Sequence, residues 1–279
     1  MIILTVAALT LQEAARRKVL RSLAVLTVLL LSLSAWGFWR INAEFDGLTT
    51  GESTIATAAV LNLVMFGLSL IAALGTAFLA GPTLAGDIES GTALSMLARP
   101  VHRASVLAGK WLGLVTFGGG FVLLAGLTQL LIVRTTTGYW PPRPATGLAL
   151  LAAQTIVLLT LGLLLSTAIS PMASGIVAVG LFGATWVAGV VGGVGRALNN
   201  GSVEQVGTVS RMLLPTDGLW RGAMNAFQDP SLLFQFSEAF RGHPFLSDTP
   251  LSAGYIAWTV VWTALVLGLA TLAFHRRDL

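Results

Sequence analysis

From Pro144 to Gly195 the chain carries no charged residue. That stretch is too long for one bilayer crossing and suits two, because a hydrocarbon core of roughly 30 Å takes about 20 helical residues. Ser170-Pro171-Met172-Ala173-Ser174 supplies the break: the proline stops one helix and a serine can cap the next. Charges delimit four more apolar intervals in the same way, Arg21 to Arg40, Glu52 to Asp87, Lys110 to Arg134 and Thr249 to His275. The expected spans are about 22–39, 55–80, 111–133, 147–169, 175–195 and 252–274. The second is expected to leave the membrane after Ala80, where Gly81, Pro82 and Gly86 favour a bend.

Only 10% of the residues are charged and 55% are hydrophobic, against about 25% charged in soluble domains. The predicted fold is therefore all-α and integral to a membrane, a single transmembrane domain over residues 1–279. The +4 formal charge does not indicate nucleic-acid binding, since the basic residues stand singly between apolar runs. With no cysteine, disulfides, thiol nucleophiles and thiolate metal sites are excluded. His102, His243 and His275 are too scattered to suggest zinc, and no Asp, Glu, Lys, Arg or His falls within a span, which argues against intramembrane catalysis.

An even number of spans puts both termini on one side. That side, with the segment between spans two and three, holds nine of the lysines and arginines, clustered at both ends of the chain, against seven opposite. Positive charge is retained inside, so both termini are expected in the cytoplasm and the chain in a bacterial or archaeal inner membrane. Residues 3–21 read as an amphipathic helix along the inner leaflet, Thr10, Glu13, Arg16, Arg17 and Arg21 polar, Ile3, Val6, Ala7, Leu11 and Ala14 toward lipid. The segment 197–248 is expected to form helices at the outer interface, lying on or dipping into that leaflet. Thr216 can cap one in which Leu219, Trp220, Ala223, Met224 and Phe227 share a face. Such a segment suits either a packed cap or an exit-side gate.

The inner segment 86–110, GDIESGTALSMLARPVHRASVLAGK, combines charge with turn chemistry. Asp87 and Glu89 close span two, Gly91 breaks it, and Thr92 can cap a short helix bearing Leu94 and Leu97. Arg99-Pro100 ends that helix, Arg103 opens the next, and Gly109-Lys110 enters span three. A short helix tied to a span at each end would convert the motion of a docked motor into helix tilting.

This order of residues resembles the intracellular coupling segment of type-2 ABC exporter permeases: an acidic residue, E-x-G-T, a leucine-bearing helix, R-P-[V/I]-x-R and G-K. The likeness is greatest to the subgroup that includes permeases for multicopper-enzyme maturation, such as the one accompanying nitrous-oxide reductase. The opening TLQEAARRKVL, with Glu13, Arg16 and Arg17, is similar to the elbow helix of that class, and HRRDL to its basic tail. The resemblance implies a non-catalytic export subunit that pairs with a second copy, more readily a homodimer than a heterodimer. It further implies docking on an ATP-binding cassette ATPase through Asp87, Glu89, Gly91, Thr92, Leu94, Leu97, Arg99, Pro100, Arg103 and Lys110. No phosphate-binding G-x-x-x-x-G-K-[S/T] loop occurs, so ATP and magnesium are expected on the partner chain and no cofactor on this one. Lipid and a periplasmic or extracellular accessory protein complete the expected partners. The rival readings are an ion-coupled secondary transporter, which would keep an ionisable group near the midplane, and a membrane assembly factor.

Overall fold

The computed structural model describes residues 2–44, 51–89, 102–229, 231, 243–247 and 250–276. Among them it is helical without strands: α1 (Ile2–Arg16), α2 (Val19–Glu44), α3 (Gly51–Glu89), α4 (Arg103–Thr137), α5 (Pro144–Ala168), α6 (Pro171–Ala197), α7 (Gly201–Leu213), α8 (Thr216–Phe227) and α9 (Ala253–His275). Six of these, α2 to α6 and α9, are long and apolar enough to cross a membrane. Glu89, Arg103 and His275 mark one end of the bundle, the termini end; the other is the hairpin end, where α7 and α8 lie.

The sequence signals act where expected, with two changes. Ser252 caps α9, its hydroxyl accepting from the Tyr255 amide at 3.2 Å. Pro171 occupies the first turn of α6 with Ser170 before it, as its missing N–H allows. Thr216, by contrast, is the first residue of α8 instead of its cap. Pro82 does not break the helix either, for α3 runs through it to Glu89, although the part apolar enough to cross a membrane ends at Thr83, close to the expected exit. Proline removes one rung of the ladder, and the neighbouring turn is held from outside: the Thr83 hydroxyl donates to the Leu79 carbonyl, and Lys110 Nζ to the Thr83 carbonyl.

α5 is the axis of the bundle, with 72% of its apolar window buried against 17% for α9. Around it pack α3, α4, α6, α8 and α9. Association of helices in lipid relies on close fit more than on removal from water, and small residues set the contacts here. A Cβ on Gly81 would stand 2.3 Å from the Pro171 carbonyl, and one on Gly175 2.7 Å from that of Ala77, so α3 and α6 touch backbone to backbone. Gly147 receives the Phe227 ring of α8 in the same manner.

Gly109 and Gly113 of α4 form a small-x-x-x-small groove for α1. Gly109 faces Val6 and the Ile3 carbonyl, Gly113 faces Thr10 and the Ala7 carbonyl, so the two helices run alongside in the same direction. Ala7, Thr10 and Ala14 are consequently buried against the bundle, while Ile2, Leu4 and Leu9 are exposed. The face assignment read from the sequence changes accordingly, because small residues in a glycine groove outweigh the polarity of Thr10. The hydroxyl of Thr10 donates to the Val6 carbonyl within the helix. The helix ends at Arg16, one turn short of the expected residue 21, with Glu13 and Arg17 paired at 2.5 Å beside the break.

Candidate functional site

At the hairpin end the chain turns back into the bundle. α7 descends along α6 with helix backbones in contact: Gly192 meets Gly207, and Gly195 meets Val203 and Glu204. Asn199 takes a left-handed φ of 52° at the turn, and Asn200 caps α7 by accepting from the Val203 amide at 3.3 Å. The tip, Leu214-Pro215-Thr216, is anchored by the Thr185 and Thr216 hydroxyls at 2.9 Å and by Gln154 Nε2 donating to the Thr216 carbonyl at 3.2 Å. Twelve residues of α6 separate Thr185 from its end at Ala197, a rise of about 18 Å. The tip therefore lies near mid-depth of a roughly 30 Å core.

From the tip α8 climbs back along α5 to the level of Arg143, whose guanidinium donates to Asn225 Oδ1 at 2.9 Å. The five apolar residues expected on one face of α8 are 0–1% exposed, and Asp217, Gly218, Gly222 and Asn225 are buried as well. α8 thus dips into the bundle and packs on nearly every side, whereas α7, in which Gly207 alone is buried, lies along α6 with Val206, Val209, Met212 and Leu213 exposed.

This hairpin carries charge to a depth where the spans have none. Asp217, 2% exposed, accepts from Arg221 Nε at 2.9 Å, and Arg211 Nε lies 3.6 Å from the same carboxylate oxygen. Arg221 Nη2 donates to the Gly189 carbonyl at 2.6 Å, whereas the Arg211 Nε proton goes to the Gly207 carbonyl at 3.0 Å. Gly189 makes room: a Cβ there would stand 2.2 Å from the Asp217 carboxylate. Asp217 Oδ1 and Arg211 Nη2 are buried without a hydrogen bond among the described residues. The sequence argument from charge against an ion-coupled carrier holds for the six spans and fails for this hairpin. Spacing alone could have suggested it, since Asp217 and Arg221 stand one helical turn apart.

α9 completes the hairpin end. Tyr255, Trp258 and Trp262 share one helical face and donate to three successive carbonyls, Arg211 at 3.0 Å, Met212 at 3.2 Å and Leu213 at 2.8 Å. The last carbonyls of a helix lack intrahelical partners, and these aromatic donors satisfy those of α7. Tyr139, in the turn after α4, donates to the Phe227 carbonyl at 2.6 Å; burial, reinforced by the charge of Asp229, raises its pKa and keeps the phenol a donor. Phe245 packs against the Phe66–Trp186 pair, its carbonyl accepting from Asn62 at 2.9 Å and Gln228 at 3.1 Å. With Gln129 donating to Ser34 at 2.7 Å, all three span amides are engaged within the chain.

At the termini end the expected docking residues separate. Gly91, Thr92, Leu94, Leu97, Arg99 and Pro100 lie outside the described residues. Asp87 and Glu89 fall in the last turn of α3. Lys110 is 4% exposed and bridges α4 to α3. Arg103 reaches the end of α9, donating to the Phe274 and His275 carbonyls at 3.2 and 3.3 Å with its guanidinium 5.9 Å from the Phe274 ring. A cation at a helix C-terminus is favoured by the helix dipole. Both side chains tie spans together, Arg103 joining α4 to α9 and Lys110 joining α4 to α3. Glu13 and Arg16 are exposed on α1, and Arg17 is partly so.

Against models of known families, residues 4–279 match the ABC-2 family transporter protein. The chain belongs to that family. No individually curated protein matches the sequence. Membership in the ABC-2 family, together with six helices long and apolar enough to cross a membrane, makes this a multi-pass membrane protein of a transport system.

Proposed function

We propose that this chain is the membrane subunit of an ATP-driven exporter, that two copies form the pathway, and that each docks on a separate ATPase chain through residues 86–110. The carrying observation is that α3 and α4, which bracket this segment, are uninterrupted helices of 39 and 35 residues. Each exceeds the length of a bilayer crossing, and together they contact α1, α2, α5 and α6. A force applied to residues 90–102 thus acts on two levers that reach most of the bundle. Glu89 and Arg99 flank the proposed docking helix as charged partners for the ATPase. Arg103 and Lys110 transmit, since they clamp α4 to α9 and to α3.

The resemblance of the same segment to the permeases of multicopper-enzyme maturation supports membership of that subgroup. In this reading the termini and residues 86–110 face the cytoplasm, ATP and magnesium bind the partner, and the re-entrant hairpin faces the exterior.

The test is co-purification with the ATPase and transport-coupled ATP hydrolysis in vesicles. Glu89→Lys is expected to lower both while leaving membrane insertion and the unfolding midpoint unchanged. Undiminished coupling in that variant and in Arg99→Glu would refute docking through this segment.

A further inference from the structure

α6 and α9 both pack on α5, and α7, folded back along α6, leaves a cleft of about 800 Å³ on the side toward α9. That volume lies in the range of small-molecule sites, ~300–1,000 Å³. It is elongated. Ser202 and Gln205 line it beside the Asn200 cap, Val206 and Val209 follow deeper along α7, and Leu213, Leu161 and Leu181 surround its lower end. Eleven residues separate Ser202 from Leu213, about 16 Å of helix, close to the depth of one leaflet of a roughly 30 Å core.

We propose that this cleft is a lateral binding site for one membrane phospholipid, its hydrocarbon chain lying along α7 and its headgroup at the α6–α7 turn. The lining changes along its length as an amphiphile does, polar at the rim and apolar at depth. Of the polar groups that reach the deep part, two are already engaged. The Thr185 hydroxyl bonds the Phe182 carbonyl and Thr216, and the Trp262 indole N–H donates to the Leu213 carbonyl, so the ring offers hydrocarbon only. Ser210 adds one hydroxyl to an otherwise apolar lining, too few polar partners to hold water well.

The rim selects the head. Arg196 and Glu204, at the α6–α7 turn just outside the lining that Ser202 and Gln205 supply, pair at 3.1 Å and are 45% and 41% exposed, one charge of each sign within reach of a headgroup at the rim. A zwitterionic headgroup, with phosphate and ammonium a few bonds apart, can meet both, whereas an anionic headgroup meets Glu204 unfavourably.

The experiment uses the full chain in vesicles of phosphatidylethanolamine and phosphatidylglycerol, with a phosphatidylethanolamine probe carrying a photoactivatable diazirine on its acyl chain. After irradiation, labelled peptides are mapped by mass spectrometry. Label is expected on α6 and α7 at a density above that on the open face of α2 around Val28, Leu29 and Leu33. Ala184→Trp and Ala188→Trp, which fill the cleft from its α6 wall, should lower the α7 label about tenfold, which corresponds to ~1.4 kcal/mol of lost binding. Label on α2 should not change, which also reports that the variants are folded and inserted. Glu204→Gln should erase the preference for the zwitterionic probe over a phosphatidylglycerol probe. Equal label on α7 and α2, or α7 label indifferent to the filled cleft, would reduce the site to ordinary boundary lipid and overturn the proposal. Absence of α7 label together with a Val209→Cys disulfide between two copies would overturn it in favour of a protein interface.

Discussion

Asp217 is where a single atom group decides most. Its carboxylate holds Arg221 and approaches Arg211 inside the bundle, and removing one partner of a buried pair strands the other charge, at a cost of about 3–5 kcal/mol. Asp217→Asn is expected to lower the unfolding midpoint in detergent markedly. Adding Arg221→Gln should recover part of the loss, since the second change removes the stranded charge; strict additivity in this double-mutant cycle would deny the coupling. Glycine contrasts sharpen the same point. Gly189→Ala drives a Cβ into that carboxylate, whereas Gly180, on the same helix, has nothing within 4 Å of an added Cβ. The expected pair of outcomes is destabilisation at Gly189 and a gain of about 0.5–1 kcal/mol at Gly180 from helix propensity, read by thermal unfolding of both variants.

Among elements, the spans were legible in the sequence and the hairpin was not. Lipid excludes charge, so the charges Arg21, Arg40, Asp87, Lys110, Arg134 and Arg196 fell at or near span ends, and reading the intervals recovered α2 to α6 and α9. The exception, Lys110, is buried, but it sits beside the last turns of α3, where a long side chain finds a carbonyl. The same logic leaves α7 and α8 at the outer interface, lying on or dipping into that leaflet, and does not reveal that Asp217 is buried or that Arg211 and Arg221 meet it. Their charges are mutually paired, and pairing across the tip depends on residues brought together by the fold. Of the coupling segment, the sequence order is plain, yet the role of Arg103 as a cap on α9 required a partner 171 residues away.

The aromatic donors of α9 give the element scale its own test. Trp262→Phe and Trp258→Phe remove one N–H each from the last carbonyls of α7 while keeping the ring. Each is expected to cost about 1 kcal/mol. Because the loss is local to α7, hydrogen exchange of its last turn should quicken before that of α5; uniform change across both helices would place the loss in global stability instead.

For the molecule as a whole, the question is which parts move together when residues 86–110 are pushed. α7 and α8 are joined to α6 by glycine contacts from Gly189 to Gly195, by the Arg221 bond to Gly189 and by the Thr185–Thr216 pair, and packing this close is bistable more than it is pliable. The backbone contacts of α3 with α6 are as close but fall near Gly81 and Gly175, toward the termini end; farther up the two helices meet through side chains, Phe66 on Phe182 and Trp186. The hairpin and α6 are therefore expected to shift as one body relative to α3. On this cysteine-free background a Thr185→Cys, Thr216→Cys pair stands at positions whose hydroxyls are 2.9 Å apart, near enough for a disulfide with small adjustment. Oxidising that pair should leave transport-coupled ATP hydrolysis of the reconstituted complex at its reduced level, because the bond joins parts that already travel together. Loss of turnover on oxidation, restored by reductant, would mean instead that the tip slides along α6 in each cycle, and the buried Asp217 charge would then have to exchange its partners as it moved.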